Sequence, residues 1–357
     1  MTVKFFRAEC GDAASIRYYG NDSKFHNIFI DSGYERTFRH ILEDEIKNII
    51  ELGERIDLWV ISHIHDDHIG GVLKYIDTIK SGEFEDIVDQ FFYNPPRKYS
   101  FNVSPDPISK PVSINQGDIL YEYLKSTNKL LDIKLTRNIS PIDKYGLNIT
   151  VLSPDSDKLN KLHSKYPLGS SNMLEKEEDE SSSDAISQAT SDHHLQLDDF
   201  NVLTMKEDTS IENGSSISII TEYKGASVLW LADSHPSNIV SSLRSLGISE
   251  FSKLNVDVVK VSHHGSAGNN STELYSLINC NKYVFSVNGE NKYHLPAKEC
   301  IARILKVPNR NTSSEYSLYF THNDDILKSI FDADNNGIEK YNFSTIFSAE
   351  KEIVFEF

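Results

Sequence analysis

The sequence predicts an α/β protein built as one layered sandwich, in which two β-rich halves are flanked by helices. Three observations predict this class. Short apolar strands alternate with helical segments up to about residue 152, the alternation returns from residue 217, and a polar segment separates the two halves. A length of 357 residues suits one large α/β domain or two small ones. We expect a single domain over residues 1–357.

The first half contains strand candidates that are rich in β-branched and aromatic residues and are bounded by Gly, Asn or Asp. These candidates are Lys4–Arg7, Ser15–Tyr19, Asn27–Asp31 and Ile56–Ser62. Between the last two, Arg36–Leu52 places apolar residues at helical spacing, and Gly53 follows as a C-terminal stop signal. This half is therefore predicted to pair strands with a long helix.

The second half repeats the pattern. Its predicted strands are Ile217–Glu222, Ser227–Ala232, Asp257–Ser262 and Tyr283–Val287, and its predicted helices are Pro236–Leu246, Ser271–Ile278 and Ala297–Leu305. The tail, residues 316–357, carries the strand-like runs YSLYF and EIVFEF around an Asp/Asn/Gly turn. We expect the tail to add edge strands.

A polar segment separates the halves, and we expect residues 158–200 to form a flexible insertion. Nine Asp or Glu residues and one Lys lie within residues 174–199, where serine is frequent and large apolar side chains are few. Such a composition cannot bury enough apolar surface to offset the entropy lost on ordering. A second interpretation stays open, namely a lid or an autoinhibitory segment that mimics a phosphate backbone.

Composition and charge exclude several classes of protein. A hydrophobic fraction of 39% with 25% charged residues is typical of a globular chain and excludes a wholly disordered one. The 36 Lys and Arg residues against 53 Asp and Glu give a net charge of −17. A protein that neutralises many phosphates of a long nucleic acid is expected to be basic, so any polynucleotide is predicted to be held locally.

The N-terminal residues and the cysteines predict the cellular setting. The start of the chain lacks a long apolar stretch, and no run near 18 apolar residues occurs in the sequence. The three cysteines are an odd number and are widely spaced, which argues against a disulfide framework. We therefore expect a soluble, cytoplasmic protein with no membrane contact.

The segment LWVISHIHDDHIGG at residues 58–71 carries the strongest chemical signal. Four potential ligands, His63, His65, Asp67 and His68, fall within six residues of the end of a predicted strand. Two histidines spaced two apart can face the same side and bind one metal ion, and the Asp and His that follow can face a second. Imidazole with carboxylate suits a borderline divalent cation.

These residues match the HxHxDH signature and so resemble the metallo-β-lactamase-fold hydrolase superfamily. Gly11-Asp12-Ala13 and the run IFIDSG at residues 28–33 resemble the opening motif of that family, in which the aspartate that matches Asp31 supports the histidine loop. The resemblance implies a four-layer αβ/βα sandwich, here with an acidic, Ser-rich insertion.

Further motifs follow in the order that the family uses. The run VLWLAD ends at Asp233, which the resemblance implies is a bridging ligand of two metals. The run VVKVSHHGS supplies His263 and His264, one of which would join Asp67 and His68 while the other contacts substrate. The run NKYHLP approximates a family NxYxHP element, so the resemblance assigns His294 to a substrate oxygen or to protonation of the leaving group.

The HHGS element narrows the resemblance to the hydrolase domain of bacterial competence DNA-uptake proteins and their stand-alone relatives. Many superfamily members supply a third histidine to the first metal where this chain has Asn213, which is a possible ligand. His193 and His194 could fill that gap, although they lie in the polar insertion.

The resemblance implies two divalent ions, zinc or manganese, that lower the pKa of a bridging water so that hydroxide becomes the nucleophile. Asp67, His264 and His294 are the predicted catalytic residues. The expected activity is that of a phosphodiesterase or nuclease on nucleic-acid ends or nucleotides. The alternatives are hydrolysis of another ester, such as a phosphocholine ester or a lactone, and a metal-stabilised scaffold without turnover, with a protein partner in a multi-component system.

Overall fold

The computed structural model describes residues 1–98, 112–131, 133–167, 190–308 and 310–357. Within these ranges the β-branched and aromatic runs form two large sheets. The first sheet contains β1 (Thr2–Phe6), β2 (Ala13–Tyr19), β3 (Phe25–Asp31), β4 (Ile56–Val60), β5 (Phe91–Phe92) and, from the C-terminal tail, β16 (Glu352–Glu356). The second sheet contains β6 (Ile142–Lys144), β7 (Leu147–Ser153), β8 (Ser218–Tyr223), β9 (Ala226–Trp230), β11 (Val258–Lys260), β13 (Lys282–Phe285), β14 (Tyr316–Phe320) and β15 (Phe343–Phe347). A small parallel pair joins β10 (Leu254–Asn255) to β12 (Ile278–Asn279).

Each large sheet is part antiparallel and part parallel. The first has the order β16-β1-β2-β3-β4-β5, in which β16 to β3 are antiparallel and β3, β4 and β5 run parallel. The second has the order β15-β14-β13-β11-β9-β8-β7-β6, with β15 to β9 parallel and the rest antiparallel. The carboxyl ends of parallel strands are the usual place for a binding site in an α/β fold.

Helices cover the outer faces of the sheets. They are α1 (Glu35–Thr37), which continues through a π-helical turn (Phe38–Leu42) into α2 (Glu43–Glu51), then α3 (Asp66–Ser81), α4 (Val112–Ser126), α5 (Ser156–Lys165), α6 (Ile211–Gly214), α7 (Pro236–Ser245), α8 (Thr272–Ser276), α9 (Lys298–Leu305), α10 (Asp325–Lys328) and α11 (Gly337–Tyr341). Short 3₁₀ turns occupy Leu197–Asp199, Ser262–Gly265, Ala267–Asn269 and Ser329–Phe331.

Three apolar layers hold the sheets and helices together. The middle layer lies between the sheets, where Phe5 of β1 stacks on Trp230 of β9 with ring centres 5.0 Å apart. A second layer joins the first sheet to α2, α3, α4 and α5, and a third joins the second sheet to α7, α8 and α9. The order helices, sheet, sheet, helices is the predicted four-layer αβ/βα sandwich.

The predicted elements of the two halves are present, with small differences at their ends. The predicted helix Arg36–Leu52 corresponds to the continuous segment from α1 to α2. The predicted helix Ser271–Ile278 stops at Ser276, because Ile278 pairs with Leu254 in the small sheet instead. The tail forms β14, β15 and β16, of which β15 and β16 lie at sheet edges among the described strands and β14 lies inside the second sheet.

The predicted flexible insertion is only partly described. Residues 158–165 belong to α5, where Leu159 and Leu162 are buried because their spacing places both on the inner face of the helix. Leu197 is also buried. Residues 168–189, the most acidic and Ser-rich part, lie outside the described residues, so the flexibility of the insertion stays a prediction. None of the helices in the described ranges is both long and apolar enough to cross a membrane.

A buried histidine connects the two sheets far from the carboxyl ends of the parallel strands. The His26 ring bonds through Nδ1 to Asp57 at 2.7 Å and through Nε2 to Asp22 at 2.8 Å, and it stacks on Tyr145 with centres 3.9 Å apart. Burial disfavours the imidazolium, but the two carboxylates outweigh it and raise the pKa of His26. The charged form therefore stabilises the folded state.

This arrangement predicts a pH-dependent stability. A raised folded-state pKa gives a contribution that is complete below the ordinary histidine pKa of about 6.5 and is lost as the pH rises through the folded value. We expect His26→Gln to lower the free energy of unfolding more at about pH 5.5 than at about pH 9. Urea unfolding of both proteins at the two pH values measures this, and an equal loss at both would contradict the role of the charge.

Candidate metal centre

The first part of the site is the loop that leaves β4 and enters α3. His63 and His65 are buried and face each other, with His63 Nε2 3.0 Å from His65 Nδ1. Burial lowers the pKa of both imidazoles, that of His63 to well below its ordinary value. Neutral imidazoles are the form that binds a metal ion, so this pair is ready to do so.

Asp31, at the end of β3, fixes the same loop from behind. Its carboxylate accepts hydrogen bonds from the Ser62 amide at 2.7 Å and the Ser62 hydroxyl at 2.8 Å, and it lies 2.8 Å from His68 Nδ1. Asp31 itself is held in a left-handed conformation, with φ at 54°. A carboxylate on Nδ1 directs Nε2 of His68 toward the site and strengthens it as a ligand. The supporting role of Asp31 stays a prediction, and these contacts are the ones that such a role requires.

The second histidine pair follows β11 in two consecutive left-handed residues. His263 and His264 have φ values of 45° and 52°, conformations that are strained for residues with side chains. His264 Nδ1 lies 2.9 Å from the Ser286 carbonyl, and its Nε2 lies 3.0 Å from an Asp67 oxygen. His263 Nδ1 lies 2.9 Å from Asn269 Oδ1. The turn thus aims the two imidazoles at different partners.

Asp233 lies at the centre of these groups. It follows β9 and is 1% exposed. Its Oδ1 is 3.4 Å from His68 Nε2, and its Oδ2 is 3.7 Å from His63 Nε2 and 3.6 Å from His263 Nε2. The two oxygens therefore face different sets of histidines.

Among the described residues, three sets of side chains have ligand atoms within 4.8 Å of one another, close enough to hold a metal ion. Two of the sets share Asp233: one is His63, His65 and Asp233, and the other is Asp67, His68, Asp233 and His264. Both Asp233 oxygens and His68 Nε2 are buried without a hydrogen-bond partner in the described part of the chain. Orphaned buried polar atoms are costly, and a shared metal centre would satisfy them, so the residues fit a divalent cation.

A third set, Asp12, Asp31 and His68, has similar spacing, but each of its carboxylates already has a strong partner through at least one oxygen. Asp31 holds Ser62 and His68, and Asp12 forms a buried ion pair with Lys260. We therefore assign this set to support of the centre and not to metal binding.

Opposite charges decide the protonation of the second set. Burial disfavours the charged forms, but nearby carboxylates outweigh it and raise the pKa of His68 well above its ordinary value. In the same way, Asp12 and Asp233 raise the pKa of His264 to about 9. The pKa values of Asp67 and Asp233 are lowered well below their ordinary range because histidine charges outweigh burial. A cation would replace these protons as counter-charge, so metal binding releases protons.

The remaining predicted residues lie apart from the two sets. His294 is exposed on a turn, and its backbone amide donates to Asn291. Asn213 is buried, donates through Nδ2 to Asp208 at 2.7 Å and leaves Oδ1 without a partner in the described structure. His193 Nε2 lies 2.9 Å from the Pro296 carbonyl, and His194 bonds its own turn.

Two further groups support the centre and are not among the residues predicted from the sequence. Lys260 of β11, 4% exposed, pairs with Asp12, whose Oδ1 lies 3.4 Å from His264 Nδ1. Asp208 accepts from Asn269, which in turn orients His263. A lysine in the middle of the apolar strand VVKVS is a signal for the first pair, because a buried lysine needs a carboxylate. No comparable sequence signal marks Asp208.

Replacement of the supporting carboxylate provides a direct test. In Asp31→Asn, an amide group replaces one of the oxygens that accept from Ser62 and His68, so His68 loses its fixed orientation. We expect the affinity for Zn²⁺ or Mn²⁺ to fall roughly 10- to 100-fold. Competition with a coloured chelator measures it. Ser62→Ala, which keeps the contact between Asp31 and His68, should lose much less, and equal losses in both variants would contradict the role given to that contact.

Comparison with known families agrees with this geometry. Residues 26–127 match the family model described as the Metallo-beta-lactamase superfamily. The chain has the metallo-β-lactamase fold. The matched part runs from β3 into α4 and contains the His63–His68 loop, whereas Asp233 and the second histidine pair lie beyond it. No curated protein matches the sequence.

Solved structures with the metallo-β-lactamase fold are similar at low identity. YhfI from Bacillus subtilis shares 12% identity at a TM-score of 0.43, over 99% of both chains. Zn²⁺-bound PqqB from Methylobacterium extorquens shares 9% at 0.40, over all of both chains. The long form of RNase Z from yeast shares 12% at 0.38, over 99% of this chain and 41% of that enzyme.

Proposed function

We propose that this protein is a metal-dependent phosphodiesterase or nuclease that acts on nucleic-acid ends or nucleotides with two divalent ions, zinc or manganese. The observation that carries the proposal is the position of Asp233. Asp233 belongs to two adjacent sets of ligands, and its two oxygens have no hydrogen-bond partner among the described residues, so one carboxylate shared by two cations would use both.

Different residues would bind each of the two cations. His63 and His65 would bind one ion, Asp67, His68 and His264 the other, and Asp233 both. When bound, a pair of divalent ions activates water at neutral pH and stabilises the charge that develops on a phosphoryl group. A phosphodiester gains from both effects, which is why this substrate class suits the centre best.

His263 is the histidine of the second pair that belongs to neither set. The Asn269 side chain donates through Nδ2 to Asp208 and to the Asp233 carbonyl, so its Oδ1 accepts from His263 Nδ1. This bond leaves His263 Nε2 as the nitrogen that faces Asp233, where it can hold a proton or contact a substrate oxygen. We also propose that His294 contacts a substrate oxygen or protonates the leaving group.

The charge of the chain limits the size of the substrate. A net charge of −17 disfavours long duplexes and favours a nucleotide or a short single-stranded end that contacts only the rim of the site. A role beside a protein partner, as in DNA-uptake systems whose hydrolase domain the HHGS element resembles, is compatible with such a substrate.

Metal analysis with cleavage assays tests the proposal. The purified protein is analysed for bound elements and is assayed with bis(p-nitrophenyl) phosphate, a lactone and labelled oligonucleotides. We expect two equivalents of metal and hydrolysis of the phosphodiesters, and we expect Asp67→Ala to lose hydrolysis while the circular dichroism spectrum is unchanged.

The adjacent Asp66→Ala is a matched control. Asp66 begins the same helix, bonds Gln116 at 2.7 Å and is outside both ligand sets, so its variant should retain cleavage. Metal binding without cleavage of any phosphodiester would favour the scaffold interpretation, and cleavage of the lactone alone would favour the other ester class. If Asp67→Ala cleaves as fast as the parent, the assigned centre is wrong.

A further inference from the structure

The metal centre is most open beside Asp67. The Asp67 side chain is 19% exposed, whereas those of His68, Asp233 and His264 are 0%, 1% and 2% exposed. A substrate must therefore approach the cations from the Asp67 side. The residues around this opening decide which groups of a substrate are recognised.

One side of the opening carries Tyr34, in the loop after β3. The half-buried Tyr34 donates its hydroxyl to the Cys10 carbonyl at 2.9 Å. Two residues after Cys10, the Asp12 amide donates to the Asp67 carbonyl at 3.0 Å, which ties the loop to the opening. The exposed Arg36 guanidinium lies over the Tyr34 ring, 5.2 Å from its centre.

Another side carries Tyr293, in the turn that also holds His294. Asn291 fixes this turn, because its side chain donates to the Leu295 carbonyl at 2.7 Å and accepts from the amides of Tyr293 and Leu295. The exposed Lys292 ammonium lies 4.8 Å from the centre of the half-buried Tyr293 ring. The turn therefore presents an aromatic ring with a cation, as the Tyr34 loop does.

Backbone contacts join both loops to neighbouring ligands. The Tyr34 hydroxyl holds the segment whose Asp12 amide donates to the Asp67 carbonyl, and the Ala297 amide, just after the Tyr293 turn, donates to the Gly265 carbonyl at 3.0 Å. Gly265 follows His264, whose Nε2 lies 3.0 Å from Asp67. Both loops are therefore anchored beside the same pair of ligands, and in keeping with this the charge of Asp67 adds to the burial that raises the pKa of Tyr34 and of Tyr293.

We propose that Tyr34 and Tyr293, with Arg36 and Lys292, form a binding site for the base and flanking phosphates of a single-stranded nucleotide end. This inference deepens the proposed function and rests on it, since it names the part of a phosphodiester substrate that the rim recognises. Stacking on aromatic rings tolerates any base, and a cation beside each ring takes a phosphate.

The basic side chains of Arg36 and Lys292 are available for this role. Arg36 is 58% exposed and pairs with Glu9, which is 32% exposed. Exposed ion pairs of this kind contribute little to stability, so a phosphate can replace Glu9 as the partner of Arg36 at a small cost in free energy. Recognition is then local, which reconciles nucleic-acid binding with the acidic balance of the whole chain.

Binding without metal tests the rim apart from catalysis. The metal-free protein is titrated with two fluorescent tetranucleotides that are identical except that one is abasic at its terminal position. We expect the wild type to bind the intact tetranucleotide about tenfold more tightly, because its terminal base stacks on the aromatic rings. Tyr34→Leu and Tyr293→Leu should each reduce the ratio of the two affinities toward one. Arg36→Gln and Lys292→Gln should weaken the binding of both tetranucleotides to the same extent.

Two controls keep the outcome clear. Tyr34→Phe keeps the ring but loses the bond to Cys10, so it should keep the ratio. Tyr145→Leu removes a tyrosine that stacks on His26 away from the site and should also keep it. If both leucine variants keep the wild-type ratio of affinities for the intact and the abasic tetranucleotide, the proposed base-binding site is wrong, even if the wild type hydrolyses bis(p-nitrophenyl) phosphate. If the leucine variants lower this ratio but the protein hydrolyses no phosphodiester, the base-binding site is supported and the proposed function is wrong.

Discussion

Asp233→Asn should remove both the bound metal and the hydrolysis of phosphodiesters. The substitution keeps the shape of the side chain but removes the negative charge of the residue that both ligand sets share. Loss of a bridging carboxylate weakens two sites at once, and a loss of several kcal/mol in transition-state stabilisation corresponds to about a 10³-fold fall in rate. Elemental analysis and kcat/KM for bis(p-nitrophenyl) phosphate measure the two effects.

A carboxylate at the opposite end of the same sheet provides the control. Asp257 precedes β11 and accepts from the Ser227 amide at 2.8 Å, close to the start of β9. Asp257→Asn should therefore keep metal and activity even if it loses some stability. Should Asp233→Asn retain two equivalents of metal, the assignment of this residue as the bridge would be wrong.

Most residues of the candidate site could be proposed from the sequence because they lie at or just after the ends of parallel strands. Asp31 ends β3, and His63, Asp233 and His264 come after β4, β9 and β11. Each of these strands was visible in the sequence as a short apolar run that ends in a polar residue. Parallel strands bring their carboxyl ends to one edge, so residues distant in sequence meet there. The prediction of the strands therefore also predicted where the motif residues lie, at the ends of those strands.

What the sequence left open was the choice between His263 and His264. Adjacent residues point in different directions, and the direction depends on two left-handed φ values that no local pattern reveals. The structure places His264 in the second ligand set and His263 against Asn269. Asn269 and Asp208 are polar residues of loops, and their contribution depends on tertiary contacts alone.

The small helix and strand boundaries were missed for a related reason. The sequence predicts a helix through Ile278, yet Leu277 and Ile278 leave it to join β10. Apolar residues of a short segment fit a helix face or a strand equally well, and tertiary pairing decides between them.

Gly71→Ala should have the largest effect on the fold of the site. Gly71 lies in α3, where the methyl group of an alanine would stand 2.1 Å from the Ser32 carbonyl oxygen. The same contact region is fixed by the Ser32 hydroxyl, which donates to the His68 carbonyl at 2.7 Å and accepts from the Val72 amide at 2.9 Å. Backbone cannot yield as a flexible side chain does, so the first turns of α3 must move away from the loop after β3.

The expected result is a loss of about 3 kcal/mol or more in the free energy of unfolding. Weaker metal binding should accompany it, because α3 carries Asp67 and His68. Gly82→Ala, at the end of the same helix, is the matched control. Its φ of 79° imposes backbone strain, but beyond its chain neighbours no atom of the described residues lies within 4 Å of the added carbon, so it should cost about 1–2 kcal/mol and leave metal binding intact. Urea unfolding and metal titration of both variants separate the two effects, and equal behaviour of the two would show that the close approach of α3 to Ser32 does not position the ligands.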